Sequence, residues 1–118
     1  MTEIKSDSGG KVVITDEVLS VIAVTSALEA EGIAGLRGNA MEGGKLRRRH
    51  LSRGIRVKVT DGLVYVNLAI IVRMGMKLAT VSKSVQEKVK SGIETMTGLK
   101  VPEVNVVVAQ IAGDAKSE

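Results

Sequence analysis

Cysteine is absent from this chain of 118 residues, which excludes disulfide bonds, thiolate metal sites and cysteine nucleophiles. Tryptophan and phenylalanine are absent as well, and the single tyrosine is Tyr65. The core must therefore consist of aliphatic side chains, and the bases of a nucleic acid would find almost no aromatic surface for stacking. Because a chain without cysteine suits a reducing compartment, we expect a cytoplasmic location.

Long apolar runs are also missing. The longest apolar stretch, residues 64–72, is interrupted by Asn67 and falls short of the ~20 residues that cross a bilayer. We expect neither a signal peptide nor a membrane span. The length is that of one domain, so we predict a single α+β domain at residues 11–112 between flexible tails at 1–10 and 113–118.

Positive charge is concentrated in one glycine-flanked stretch. The formal net charge of the whole chain is +4, but residues 45–53 contain five basic side chains and no acidic one. We call these five residues the basic loop and predict that it binds a partner: Lys45, Arg47, Arg48, Arg49 and Arg53. The residues leave several interpretations open, namely a solvated loop without a role, a docking surface for an acidic protein, an anchor to anionic lipid, or a nucleic-acid contact.

Several segments along the chain have the sequence pattern of β-strands. Alternating apolar residues predict strands at 11–15 and 33–37, a hairpin formed by 55–60 and 63–73, and a buried strand at 104–111. Asp61 and Gly62 suit the two-residue hairpin turn because both tolerate a positive φ. With the helices described next, the order is strand, helix, short strand, hairpin, helix, strand, which indicates a mixed sheet with both helices on one face.

Two amphipathic helices complete the pattern. The first is predicted to begin after the capping residue Thr15 and to end near Glu31, and the second to run from about Met76 to Gly98. The predicted core stripe of the first helix is Val18, Val21, Ile22, Thr25 and Leu28. That of the second helix is Leu78, Val81, Val85, Val89, Ile93 and Met96.

No constellation of catalytic residues is visible. The only histidine, His50, has no carboxylate or second histidine at a useful spacing, and Asp16 with Glu17 is explained by the helix dipole. The glycines form no phosphate-binding motif. Met41, Met74, Met76 and Met96 fit core filling better than a soft-metal site. We therefore predict no enzyme activity, cofactor or metal.

One short motif points towards RNA. Residues 35–38 fit the GxxG pattern with which KH modules clamp a nucleic-acid backbone. However, a KH module holds this loop between two helices, whereas here a strand is predicted to precede it. Nucleic-acid binding through Gly35–Gly38 and the basic loop is therefore the alternative function.

Several phrases identify a family resemblance. They are GKVVITDEVLSVIA, EGIAGL, RGIRVKV and, most specifically, VQEKVKSGIETMTGLKVPEVNVVV, which together extend over residues 10–111. They resemble the Asp/Gls alkaline shock proteins, envelope stress response proteins of Gram-positive bacteria. The signature glycines are structural in this interpretation: Gly98 ends a helix, and Gly92 allows close helix packing.

The resemblance implies a small non-enzymatic α+β domain that acts as a cytoplasmic, stress-linked scaffold or accessory protein. Some family members lie beneath the membrane because an integral membrane protein recruits them, and others are linked to the regulation of fatty-acid metabolism. Protein partners are thus expected. Separately, a strand at 104–111 would need covering if it lies at the sheet edge, which favours a homo-oligomer, and the basic loop favours peripheral contact with anionic membrane.

Overall fold

The computed structural model describes residues 2–5, 8–37, 41–42, 45–46 and 54–113. Helix α1 spans Asp16–Ala27 and helix α2 spans Leu78–Thr97. The strands are β1 (Thr2–Lys5), β2 (Lys11–Ile14), β3 (Ile33–Leu36), β4 (Met41–Glu42), β5 (Lys45–Leu46), β6 (Ile55–Thr60), β7 (Leu63–Arg73) and β8 (Lys100–Ala112).

Strand β7 is the centre of the main sheet. On one side it pairs antiparallel with β6 through Leu63–Leu68 and then with β3 through Ile70–Val72, so that β3 and β6 follow each other along the same edge. On its other side β7 pairs in parallel with β8 over its full length. This mixed sheet with two helices confirms the predicted α+β class.

The β6–β7 hairpin forms as the sequence indicates. Asp61 and Gly62 have φ angles of 52° and 78°, as the predicted two-residue turn requires. The resulting register aligns Val57 with Val66 and Lys58 with Tyr65. Apolar side chains of both strands therefore share one face of the sheet and polar side chains share the other.

Both helices cover that apolar face. In β7, every second side chain from Val64 to Val72 is at most 2% exposed, and these residues form one core cluster with the buried side chains of both helices. In α2, the inner positions are Val81, Val85, Val89 and Ile93, each at most 1% exposed. Helices α1 and α2 also contact each other, so the core is a single layer between them and the sheet.

The predicted core stripe of α1 is wrong in part. Ile22 is buried and Leu28 half-buried, but Val18 and Val21 are 47% and 39% exposed, and Thr25 is exposed as well. Helix α1 packs against both α2 and β6, which buries a broad arc of mostly small side chains instead. The buried residues of α1 are Leu19, Ile22, Ala23, Val24, Ser26 and Ala27.

The predicted stripe of α2 holds in its centre and fails at both ends. Leu78 and Met96 are 41% and 70% exposed. The four-residue spacing that begins at Val81 continues to Thr97, which is 8% exposed, and not to Met96. Core filling by methionine is likewise wrong for Met74 and Met76, which are 58% and 37% exposed. The side chain of Met41 lies outside the described residues.

Gly92 lies on the side of α2 that contacts α1. A Cβ at this position would overlap Ser26 Oγ on α1. The absence of a side chain is what permits the two helices to pack at this distance, as predicted. At the end of α2, Gly98 has a left-handed φ of 77°, which confirms its predicted role as the C-terminal cap.

Several boundaries differ from the prediction. Helix α1 ends at Ala27, four residues early, and β8 begins at Lys100 instead of Val104. Pro102 is tolerated because β8 is an edge strand, where the missing N–H of proline does not remove a hydrogen bond to a neighbouring strand. The sequence predicted no element in residues 1–10, yet β1 forms a hairpin with β2 through Gly9 and Gly10, both with positive φ.

No helix within the described part of the chain is long and apolar enough to cross a membrane.

Candidate functional site

The face of the sheet opposite the helices is the candidate functional site, and we call it the open face. None of the described helices packs against it. Neighbouring residues on adjacent strands form rows across this face, because β7 is in register with β6, β3 and β8. By this register its residues are Gly35, Arg37, Arg56, Lys58, Thr60, Leu63, Tyr65, Asn67, Ala69, Ile71, Arg73, Lys100, Glu103, Asn105, Val107, Gln110 and Ala112.

Three cations form a column along one side of the open face. Lys58 lies opposite Tyr65, and Arg56 lies opposite Asn67. Arg37 follows the buried Leu36, and its backbone N–H donates to the Ala69 C=O over 2.9 Å. Because Tyr65, Asn67 and Ala69 alternate along β7, the three cations stand at successive levels about 7 Å apart.

Within the described ranges, the cations of the open face form no ion pairs. Arg37, Arg56, Lys58 and Arg73 are all exposed, and none has an ion-pair partner among the residues that the structure describes. Ion pairs found elsewhere join Lys11 to Glu3 and Lys90 to Glu94. Among the described residues of the open face the only acid is Glu103, on the far strand β8. The open face therefore carries a net positive charge that is concentrated on the β3 and β6 side.

Apolar side chains occupy the centre of the same face. Val107 on β8 is 61% exposed, and its row partner Ala69 is half-buried, as is Ile71. A shallow cavity of about 160 Å³ opens between Arg56, Asn67, Ala69 and Val107, with Gly54 at its border. An exposed valine beside a cavity and a row of cations is a combination that favours a partner with both apolar and acidic groups.

Polar groups border this centre on one side. The Asn105 side-chain amide donates to Asn67 Oδ1 over 3.0 Å and to Glu103 Oε2 over 2.6 Å. The amide therefore holds the one open-face carboxylate along β8, away from the cations on β6. This separation keeps Arg56 and Lys58 available to an external anion.

The outer edge of β8 forms a second feature. Its first residues are covered by side chains of α2 in place of another strand. The Glu94 carboxylate accepts from the Val101 N–H at 2.9 Å, Lys90 Nζ donates to the Val101 C=O at 3.1 Å, and Gln86 Nε2 donates to the Val104 C=O at 3.0 Å. We call Gln86, Lys90 and Glu94 the edge ladder. Beyond Val104, no described strand lies alongside this edge.

Within the edge ladder, Glu94 has a lowered pKa. The hydrogen bond from the Val101 N–H lowers the pKa of the Glu94 carboxyl, and the hydrogen bond and charge of Lys90 lower this pKa further. The ladder also borders a groove of about 470 Å³ between α2 and β8, which Glu87, Pro102 and Glu103 line as well. This groove is shallow, and Gln86 and Lys90 on its wall already donate hydrogen bonds to β8.

A third cavity lies at the start of α2. It measures about 340 Å³ and is lined by Glu31, Gly75, Met76, Lys77, Thr80, Val81 and Ser84. In the described ranges, no three His, Asp or Glu side chains gather in a way that could hold a metal ion.

The predicted basic loop falls mostly outside the described residues. The backbone of Lys45 belongs to β5, but its side chain is not among those described. Arg47, Arg48, Arg49 and Arg53 lie wholly outside the described residues. His50 lies outside as well. In the GxxG motif, Gly35 and Leu36 belong to β3, so the motif begins in a strand and not between two helices. Gly38 is outside the described part.

Sequence reasoning missed the open face as a unit. The alternation in residues 55–60 already placed Arg56 and Lys58 on one side of a strand, which is the signal that could have identified them. The position of Arg37 beside Arg56 depends on the pairing of β3 and β6 with the same edge of β7. No local pattern reveals this long-range arrangement.

Comparisons with known proteins agree with this fold. A family model described as "Asp-23 family, cell envelope-related function" matches residues 4–113. The chain is 32% identical to the Bacillus subtilis (strain 168) protein YqhY, with 92% of this chain and 82% of YqhY aligned. It is 33% identical to YloU from the same organism, with 84% of this chain and 86% of YloU aligned.

Among solved structures, a variant of the MamM CTD is similar to this chain, with a TM-score of 0.50 over 83% of this chain and 95% of that domain. The two sequences are only 12% identical, so this similarity concerns the fold alone.

Proposed function

This chain belongs to the Asp-23 family, which is described by a cell envelope-related function, and on that premise we propose that it is a non-enzymatic interaction domain whose open face binds a protein. The single observation that carries the proposal is the composition of this face. Exposed cations stand to one side of the apolar centre that includes Val107, and no described helix covers either. A sheet that buries one face against helices and leaves such a face uncovered is suited to contact with a partner.

The setting that we propose combines the cell envelope-related description of the family with the resemblance to the alkaline shock proteins. The protein is a cytoplasmic, stress-linked scaffold or accessory protein of a Gram-positive bacterium, and an integral membrane protein can recruit it to the inner side of the envelope. The single domain of residues 11–112 provides the contact surface. The basic loop, Lys45 to Arg53, lies between β3 and β6 along the chain. We propose that it adds charge to the same contact or to an anionic membrane surface.

Self-association is part of this proposal. The β8 edge beyond Val104 has no strand beside it within the described residues, and residues 104–113 contain no charged side chain. An uncharged edge of this kind is a ready site for pairing with a second copy. A homo-oligomer would leave the open face accessible, because strand pairing uses the backbone at the edge.

A nucleic-acid-binding module is the second candidate function. The cation column favours it because phosphate groups would neutralise Arg37, Arg56 and Lys58. Only Tyr65 could stack on a base, however, and it is half-buried. A role as a regulator of fatty-acid metabolism enzymes is a form of the main proposal, since it also requires contact with a protein.

Affinity purification tests the proposed function. Tagged protein is recovered from the lysate of its own host, membranes included, at physiological salt, and half of the sample is treated with nuclease. We expect the same protein partners in both halves. Recovery of nucleic acid alone, or of proteins that all vanish after nuclease, would contradict an interaction domain for proteins and favour the second candidate.

Two variants then separate the contributions of the two basic regions. One replaces Arg37, Arg56 and Lys58 with serine, and the other replaces all five residues of the basic loop with serine. A matched control replaces three exposed lysines with serine, namely Lys77 just before α2 and Lys83 and Lys88 within it. This control loses the same charge as the first variant. If the basic-loop variant keeps every association of the unmodified protein, the role proposed for that loop fails.

A further inference from the structure

We propose that the partner segment recognised by the open face is an amphipathic helix with acidic residues at positions i, i+4 and i+8 and an apolar stripe beside them. This inference rests on the proposed function and specifies the chemistry of its partner. It follows from the spacing of the cations, the position of the apolar centre and the width of the sheet.

The cation spacing fits the repeat of a helix. Arg37, Arg56 and Lys58 stand at levels about 7 Å apart, so the column is about 14 Å long. Residues four apart in an α-helix are separated by about 6 Å along the axis, so acids at i, i+4 and i+8 extend over about 12 Å. Arginine and lysine side chains are long enough to absorb the difference. One helix parallel to β6 can therefore place a carboxylate near each cation.

The apolar centre lies on the correct side of this column. From β6 towards β8, the rows run from Arg56 to Asn67 to Asn105, and from Arg37 to Ala69 to Val107. A helix whose acids face the column turns its neighbouring stripe towards Ala69 and Val107. The cavity of about 160 Å³ beside Val107 can receive one aliphatic side chain of that stripe. Burial of Val107 and of this side chain supplies the apolar part of the binding energy.

The dimensions of the sheet agree with a single helix. Three strands separated by about 4.8 Å give a surface about 10 Å wide between the outer strands. This is close to the diameter of one α-helix with its side chains. A helix in this position would cover the open face and produce a helix–sheet–helix arrangement of three layers, a common solution for a sheet with one uncovered face.

Charge complementarity selects an acidic protein segment over a bilayer or a nucleic acid. A bilayer would contact the cations but would offer no fixed side chain to the shallow cavity beside Val107. A nucleic acid would need stacking surfaces, and the open face offers one half-buried tyrosine. An acidic helix with an apolar stripe satisfies the cations, Val107 and the cavity together.

A designed peptide provides the direct test. The probe is a fluorescein-labelled, alanine-based helix with glutamate at three positions spaced by four residues and leucine along the adjacent stripe. The control peptide has lysine in place of the three glutamates. Fluorescence anisotropy at physiological and at raised salt measures Kd for the full chain, for the Arg37, Arg56 and Lys58 serine variant, for the Lys77, Lys83 and Lys88 control, and for Val107→Glu.

We expect the glutamate peptide to bind and the lysine peptide to bind at least tenfold more weakly. The open-face serine variant and Val107→Glu should each weaken binding at least tenfold, and the α2 control less than twofold. All changed positions are exposed, and circular dichroism melting curves confirm that each variant is folded. Backbone NMR shifts caused by the peptide should centre on Ala69 and Val107.

Three results would overturn the inference. They are equal binding of the two peptides, equal effects of the open-face and α2 variants, and tighter binding of oligo-dT or of phosphatidylglycerol vesicles to the same residues. The lysate experiment separates this inference from the proposed function. Protein partners that survive nuclease and also survive the open-face substitutions would refute the acidic helix while retaining an interaction domain.

Discussion

The carboxylate of Glu94 accepts a hydrogen bond from the backbone N–H of Val101, with 2.9 Å between Oε2 and N. Val101 belongs to the edge strand β8, and Glu94 lies on the helix that precedes this strand. Lys90, paired with Glu94 over 3.1 Å, donates to the C=O of the same valine. Helix α2 thus satisfies both backbone groups of Val101 with side chains, as a neighbouring strand would do with its backbone.

This arrangement predicts a pH-dependent contribution to stability. Because the pKa of Glu94 is lowered in the folded protein, the folded state favours the ionised carboxylate. Its stabilisation is therefore complete above the pKa of the unfolded chain and is lost as the pH falls through the lower, folded pKa. We expect Glu94→Gln to lower the free energy of unfolding at neutral pH and to do so less at acidic pH.

Urea unfolding at a series of pH values measures this difference. Ser91→Ala, a change at an exposed neutral position of the same helix, is the control and should follow the unmodified protein at each pH. An unchanged difference between Glu94→Gln and the unmodified protein from neutral to acidic pH would contradict the assignment of this stabilisation to the carboxylate.

The contact between Gly92 and Ser26 predicts a coupled pair. Gly92→Ala adds a methyl group where Ser26 Oγ now lies, so α1 and α2 must separate or distort. We expect a loss of about 1–3 kcal/mol in the free energy of unfolding, as is usual for overpacking, although alanine favours helix in isolation. Ser26→Ala in the same chain removes the obstructing oxygen and should recover part of the loss. Additive effects in the double-mutant cycle would show that the two positions do not compete for space.

Alanine substitution at two positions of the apolar pattern in α2 should change the free energy of unfolding by very different amounts. Ile93 is fully buried and Met96 is 70% exposed, although both fit a helical spacing. Ile93→Ala should cost about 2–5 kcal/mol through lost burial and an unfilled cavity. Met96→Ala should change the free energy of unfolding by roughly 0.5 kcal/mol or less. Thermal unfolding of both variants checks this, and similar losses would mean that Met96 is buried in solution.

This contrast shows where sequence reasoning succeeds and where it stops. The hairpin and the Gly98 cap were predictable because Asp61, Gly62 and Gly98 act through local backbone geometry. The inner face of α1 was not, because it depends on two neighbours that local spacing does not identify. Small residues such as Ala23 and Ser26 are buried there while Val18 is exposed.

The candidate site follows the same division. Arg56 and Lys58 share a face by simple alternation along β6, which the sequence shows. Their union with Arg37 requires β3 and β6 to meet along one edge of β7, and the residues between these two strands give no local sign of it. The sequence instead directs attention to the basic loop, since charges adjacent in the chain are easier to recognise than charges adjacent in space.

The edge ladder makes a final prediction about assembly. Replacing Gln86, Lys90 and Glu94 together with alanine leaves the net charge unchanged and frees the backbone groups of Val101 and Val104. The unpaired edge of β8 would then extend from its uncharged end back to residue 101, and a longer free edge pairs more readily with other chains. We expect the triple variant to form larger assemblies than the unmodified protein at equal concentration, measured by size-exclusion chromatography with light scattering.

The matched control uses the neighbouring face of the same helix. Lys83, Glu87 and Ser91 have the same four-residue spacing and the same summed charge, and all three side chains are exposed. Their replacement with alanine should leave assembly unchanged, because none of them hydrogen-bonds to β8 in the described structure. If both triple variants assemble alike, alanine on the surface of α2 is responsible and the edge ladder does not limit pairing. If only the ladder variant assembles, side chains of α2 determine how much of β8 is accessible to a second chain.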